Sequence, residues 1–362
     1  MEITSAVQPT PQKMLVVSDI GRDQDDETTL VALGQLVAND QVSLEGLVAN
    51  LQPSDMRARL AKGVLKSLAM DDVPVAVGSA AGQANLKPHA HEFDATYIAD
   101  STEVENDGQA LLKRKLEESK DGEMTLLLIS GMTDCYELVH NSPELAKQKL
   151  GRVVIMGGVT CDKDQVVRDD QGYLTPDSAN NNTFDMPAAK GLYRELQDLN
   201  IPMTVVTKTA AYASAVGKQF YEDLGSTGHA VGQRLRDTQK DSLDGLWHRA
   251  NLPADDPERG GLPARCDRSW FLTTFCSGQG QDVPAKESIW GQVTQLNLYD
   301  AVAMLVAARS DEHLFSPTNV DVKGTQHQVI GISKANSGVA DAARVAARLG
   351  QLSKAALEAS SK

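Results

Sequence analysis

Between Val16 and Leu30 the chain reads VVSDIGRDQDDETTL. A short apolar run, Met14 to Val17, ends in four carboxylates, Asp19, Asp23, Asp25 and Asp26. A helical repeat of Leu30, Leu33, Leu36 and Val37 begins at once. The apolar run reads as a buried strand and the repeat as an amphipathic helix. The acids therefore sit where a strand turns into a helix, the position at which open α/β sheets bind ligands. Four acids so close together repel one another unless something positive compensates them. A hard divalent cation with oxygen ligands is the natural compensator. A solvated acidic turn that caps the helix through its N-terminal dipole is the plainer alternative.

The same alternation continues along the chain. Residues 42–49 (VSLEGLVA) read as a second strand, a helix runs from about Ser54 to Met70, and 73–77 is a short strand. Helix 109–118 precedes strand 124–129, helix 134–139 precedes strand 152–156, and helix 187–198 leads to strand 202–206. Alternating elements predict an α/β fold with a Rossmann-like, mostly parallel sheet and helices on both faces. From about 210 to 291 the pattern is helical and irregular, with Trp247, Trp270, Phe271 and Trp290. This stretch is expected to form a helical cap over the sheet's carboxyl edge, inside one domain spanning 14–335. Residues 297–308 read as an amphipathic helix, 318–332 as two late strands, and 336–362 as a C-terminal helix and tail. Residues 1–13 read as a disordered arm, and 160–173 as a hairpin turning at Asp170-Gln171-Gly172.

Bulk properties exclude several classes. The net charge of −14 argues against nucleic acid as a partner. No apolar run approaches the ~18 residues of a membrane span, and the first residues lack the basic and apolar regions of a secretory signal. The four cysteines lack the close spacing of a zinc or redox site, so reduced thiols and a cytoplasmic location are expected.

Five separated segments share one likeness: DIGRDQDD, GLVAN ending at Asn50, SGMTDCYEL with PELAKQKLGRVVIMGG, NNTFDMPAAK, and LYDAVAML. Over roughly Met14 to Ala308 the chain resembles the inosine–uridine-preferring nucleoside hydrolases. Within them it is most similar to the nucleoside-hydrolase-like type III effector branch of plant-pathogenic bacteria. The resemblance implies a single α/β domain with a calcium ion at the carboxyl edge of its sheet. It assigns the calcium to Asp25, Asp26, the backbone carbonyl of Thr133, and Asp300. It assigns ribose contacts to Asn50 and Asn181, with Met156 lining the sugar pocket. The implied activity is calcium-dependent cleavage of the N-glycosidic bond of a nucleoside or modified riboside. The effector branch further implies delivery into a host cell without a signal peptide and a host protein as partner. Family members are often homo-oligomers.

The departures from the family pattern bear on turnover. The pattern DxDxxxDD has its second Asp, a metal ligand and general base, where this chain has Gly21, and the nearest substitute is Asp23. Asp23 and Asp25 are accordingly the expected catalytic acids. A Glu that helps hold ribose falls on Ala179. A His that protonates the leaving base in many hydrolases falls on Tyr299, an expected substrate contact together with Asp300. Tyrosine, with a reference pKa of about 10, is a weak acid for that task. Two readings therefore stand beside the enzyme: a weakened hydrolase fold that retains a ribose-containing ligand such as ADP-ribose, and an interaction protein. Among the aromatics, Tyr212, Trp247, Trp270 and Trp290 are candidates to stack on a base, against packing within the cap.

Overall fold

In the computed structural model, which describes residues 10–361, apolar runs become strands and helices alternate with them. The first half contains β1 (Gln12–Ser18), α1 (Asp25–Ala38), β2 (Val42–Ala49), α2 (Ser54–Ser67), β3 (Val75–Val77), α3 (Gly108–Glu118), β4 (Met124–Ile129), α4 (Thr133–Asn141), α5 (Pro143–Lys149) and β5 (Leu150–Gly157). A small hairpin, β6 (Cys161–Asp162) and β7 (Gln165–Val166), precedes α6 (Asn180–Phe184), α7 (Met186–Asp198), β8 (Met203–Thr207) and α8 (Lys208–Ala213). Then come α9 (Lys218–Ser226), α10 (Ala230–Ala250), α11 (Arg268–Phe275), α12 (Tyr299–Ala307), β9 (Thr318–Val322), β10 (Thr325–Ile330) and α13 (Ala342–Ser360).

The central sheet has eight strands in the order β3-β2-β1-β4-β5-β8-β10-β9. Neighbours run parallel except β10 and β9, which form an antiparallel hairpin. Strand β1 shows why its sequence is apolar without interruption. Met14 and Val16 pack into one core with α1, α2, α9, α10, α12 and α13, while Leu15 and Val17 pack into the other with α3, α4 and α7. A strand covered on both faces has no polar side to present. From β1 the chain moves outward to β2 and β3, then returns to β4 on the other flank of β1. The sheet order reverses there, and a crevice opens beyond the paired ends Ser18 and Ile129.

Several boundaries differ from expectation. Strand β1 starts at Gln12, so the end of the expected arm is sheet; residues 1–9 of that arm lie outside the described residues. Gln12 is anchored because its buried amide donates to Thr125 Oγ1 at 2.9 Å and to the Ala307 carbonyl at 2.7 Å. The hairpin ladder turns at Lys163 and Asp164, and the expected turn at Asp170-Gln171-Gly172 closes only a single bridge between Arg168 and Leu174. Helix α12 is not amphipathic: Asp300 to Ala307 are all buried, because α12 packs against α1, α8, β4, β5 and β8.

Helix α10 is tied to helix α1 by buried charge. Arg234 of α10 forms an ion pair with Glu27 of α1, which also accepts the Tyr97 hydroxyl. The same guanidinium donates to the carbonyls of Asp94 at 3.0 Å and Glu92 at 2.9 Å. Removing one partner of a buried pair strands the other charge and costs about 3–5 kcal/mol. Arg234→Ala is therefore expected to lower the free energy of unfolding by that amount in a urea titration. A loss under about 1 kcal/mol would show that the pair does not hold α10 to α1.

Candidate metal centre

Two helix N-termini face each other across the crevice beyond β1. Asp25 and Asp26 occupy the first turn of α1, and Asp300 the first turn of α12. The backbone N–H of Asp300 donates to Asp25 Oδ2 at 3.3 Å. Asp23 joins them from the preceding turn, and one carboxylate oxygen from each of Asp23, Asp25, Asp26 and Asp300 lies within 4.8 Å of the others. Asp25, Asp26 and Asp300 are buried and Asp23 is exposed. Asp26 accepts the Ser18 hydroxyl at 2.5 Å, whereas Asp25 Oδ1 is buried with no hydrogen-bond partner.

The turn that brings Asp23 here depends on Gly21. Its φ of +94° is in the left-handed region, and a Cβ there would stand 2.9 Å from the Glu92 carbonyl oxygen and 3.0 Å from Leu60 Cδ2. No side chain fits at 21 without a shift, and the acid that the turn brings to the cluster is Asp23, two residues later. Arg57 of α2 pins the turn from behind. Fully buried, it donates to the carbonyls of Asp19 at 3.1 Å and Ile20 at 3.0 Å, and to Glu92 Oε2 at 2.6 Å.

Electrostatics follow from the crowding. Burial, then the charge of Asp23, pushes the Asp19 carboxyl up to about 7, with Arg57 offsetting part of the rise. Asp25, Asp26 and Asp300 are pushed well above the usual carboxylate range, first by burial and then by the neighbouring acids. Two helix dipoles favour anions here, but each contributes only about 0.3–1 kcal/mol. The donor set is hard oxygen, one buried oxygen is orphaned, and among the described residues none of the four carboxylates forms an ion pair. That chemistry fits a hard divalent ion.

The acids floor a cavity of about 540 Å³. Met156 and Asn181 line it as expected, with the Asn181 amide donating to the Met156 carbonyl at 3.0 Å. Tyr299 lines it too, its ring edge-on to Tyr212 with centroids 6.0 Å apart. Burial, then Tyr212, raises the Tyr299 phenol further above its ordinary pKa, so it is an even weaker acid than a free tyrosine. Of the four candidate stacking aromatics only Tyr212 reaches the cavity and is exposed. Trp247 packs on Phe271, Trp270 on Phe275, and Trp290 donates to Glu222 at 2.6 Å.

Two expected site residues lie elsewhere. Asn50 is fully buried behind the cavity, where its amide donates to the Gly131 carbonyl at 3.0 Å and Asp134 Oδ2 at 2.8 Å, and its oxygen accepts from Ser130. It ties the loops after β2 and β4 together and is not among the residues that line the cavity. Thr133 opens α4 and donates its hydroxyl to Asp185 Oδ2 at 2.7 Å, and it too is not among the residues that line the cavity. The residue of that segment that does line the cavity is Ile129, the last of β4. Arg22, Phe184 and Lys208 also line it and were not anticipated from the sequence.

The family model for inosine-uridine preferring nucleoside hydrolases matches residues 15–350. The chain belongs to that family. Among solved structures it is similar to the type III effector XopQ, determined in complex with adenosine diphosphate ribose, at 33% identity over 97% of this chain and 95% of that one, with a TM-score of 0.82. The effector protein XOO4466 is 32% identical over 97% of this chain and 95% of that one, with a TM-score of 0.80. The purine-preferring ribonucleoside hydrolase of Gardnerella vaginalis shares the fold at 15% identity, 96% and 100% coverage and a TM-score of 0.62. Among curated proteins none matches the chain.

Carboxylates whose folded pKa is raised hold protons that the unfolded chain releases, so their favourable contribution is present at low pH and lost as pH rises through about 7. The melting temperature of metal-free protein is expected to fall from pH 5 to pH 8. Calcium at a hundred times its dissociation constant adds about 2.7 kcal/mol at a single site, and the gain is expected to be larger at pH 8 because protons compete at pH 5. Differential scanning calorimetry checks this. A calcium effect equal in wild type and Asp25→Ala/Asp26→Ala would contradict it.

Proposed function

We propose that the cavity holds the ribose of a nucleoside or modified riboside against a calcium ion and hydrolyses its N-glycosidic bond. The observation that carries this reading is the convergence of Asp23, Asp25, Asp26 and Asp300 around the orphaned Asp25 oxygen, at the floor of the cavity. Asp25, Asp26 and Asp300 would hold the ion. When bound it supplies oxygen coordination for a sugar diol and makes a neighbouring water more acidic.

The chain's own residues do the rest. Asp23 is the exposed member of the cluster, so its carboxylate is the one able to accept a proton from the attacking water. The remaining negative charge stabilises the oxocarbenium character that develops at the sugar. Asn181, held by the Met156 carbonyl, offers its amide oxygen to a sugar hydroxyl. Tyr212 and Tyr299 give the leaving base an aromatic wall. The phenol of Tyr299 is held neutral, so the departing base receives hydrogen bonding and stacking rather than a ready proton.

A second reading, ligand retention with little turnover, is favoured by Gly21, Ala179 and Tyr299 and by the adenosine diphosphate ribose bound to XopQ. Release of ribose from inosine, adenosine and uridine in calcium separates the two. Turnover is expected, with kcat/KM falling at least about a hundredfold in Asp25→Ala. No release above that variant, with saturable binding of ADP-ribose, selects retention. Neither release nor binding contradicts both.

A further inference from the structure

A second cavity, of about 300 Å³, lies towards the opposite end of α12 from the acids. Its wall includes Val306 of α12, about 9 Å of helix rise beyond Asp300. Among the described residues it shares no lining residue with the cavity over the acids. Most of the wall is apolar: Phe315 and Pro317 line it with Val306 and with Ile330 of β10. One cation enters this wall, Arg152 of β5, whose side chain is only 15% exposed.

The protein leaves part of that guanidinium unused. Nη1 donates to Glu312 Oε1 at 2.8 Å, and Nη2 reaches the carbonyls of Ala307 and Val306. Nε is buried and has no acceptor among the described residues. Burial lowers the Arg152 pKa from its ordinary value, and Glu312 offsets only part of that. Glu312 itself is 51% exposed, and an ion pair with so wet a partner is weak. A buried arginine with a donor to spare, joined to a loosely held carboxylate, can exchange that carboxylate for another. Gln328 adds a neutral donor to the wall, since its amide nitrogen reaches only Asn319, at 3.3 Å.

We propose that this cavity is a second ligand site, for a small carboxylic acid with an apolar body. The acid's carboxylate displaces Glu312 from Arg152, and its body packs against Val306, Phe315, Pro317 and Ile330. A single guanidinium balances one negative charge, and its planar fork matches a carboxylate. A phosphate dianion would lose water to the apolar wall without a second cation to receive it. The volume, at the small end of ligand cavities, suits one ring or a short alkyl chain. The site uses neither the acid cluster nor a metal, so it stands or falls apart from the riboside reading.

Calorimetry on the whole chain in a calcium chelator tests this, with benzoate and hexanoate as probes and their amides as neutral controls. Benzoate or hexanoate is expected to bind saturably, and its amide at least about tenfold more weakly. Glu312→Gln removes the resident carboxylate and is expected to tighten the acid about two- to fivefold, the worth of a half-exposed pair. Arg152→Gln is expected to abolish binding, and Asp25→Ala/Asp26→Ala to leave it unchanged. Should Arg152→Gln not fold, Glu312→Gln at its half-exposed position decides the matter. No saturation by either acid up to about 10 mM, in wild type and in Glu312→Gln, overturns the site. So does an amide that binds as tightly as its acid, where the cavity takes apolar bodies without reading charge. So does unchanged or weaker affinity in Glu312→Gln, or full affinity in Arg152→Gln. Loss of binding in Asp25→Ala/Asp26→Ala overturns it too, since the probe then sits at the acid cluster.

Discussion

Mutual repulsion among buried carboxylates is the constraint on which the rest of this protein turns. Asp25, Asp26 and Asp300 have been taken out of water and set against one another, with Asp23 at the solvent side. An arrangement like this costs free energy unless a cation sits in it, and three features of the fold exist to hold it open. Strand β1 ends at the point where the sheet order reverses. Helix α12 is buried on all sides, which is what carrying Asp300 to the centre of the molecule requires. Gly21 lets the connecting turn pass under Glu92 and Leu60 so that Asp23 comes round to the cluster.

The surrounding cations are placed so as not to quench it. Arg57 directs its donors to the carbonyls of Asp19, Ile20, Leu51 and Gln52 and to Glu92, and none to the four clustered carboxylates. Arg234 is likewise taken up by Glu27 and by main-chain carbonyls. Both guanidiniums fix backbone, and neither donates to the four clustered carboxylates. Had Arg57 reached Asp25 or Asp26 directly, the site would be a structural ion-pair network. The orphaned Asp25 oxygen distinguishes the two designs.

Much of this was legible in the chain because it is written in local pattern. Residues 42–49 and 124–129 were read as strands with the bounds they have, since each is an apolar run between polar turns. The acids of the first turn announced a site because they follow a buried strand, and Asp300 stood out as a charge inside an apolar helix. What escaped has no local signature. Asn50 and Thr133 are polar residues at strand and helix ends whose side-chain partners lie far off in sequence, at Asp134 and Asp185, and only the packed loops reveal those bonds. Ile129 lines the cavity because of where β4 stops, which its side chain does not advertise. Whether the turn at Gly21 lets Asp23 reach the other acids was visible as a question, and the folded turn places its carboxylate among them.

The most direct measurement is anomalous diffraction from crystals grown with calcium or a lanthanide. A single peak is expected, bonded by Asp25, Asp26 and Asp300 at about 2.3–2.6 Å, the range of calcium–oxygen distances, with Asp23 beside it. No peak at millimolar calcium, or a peak bound elsewhere with these carboxylates paired to protein groups, would contradict a cation-centred site.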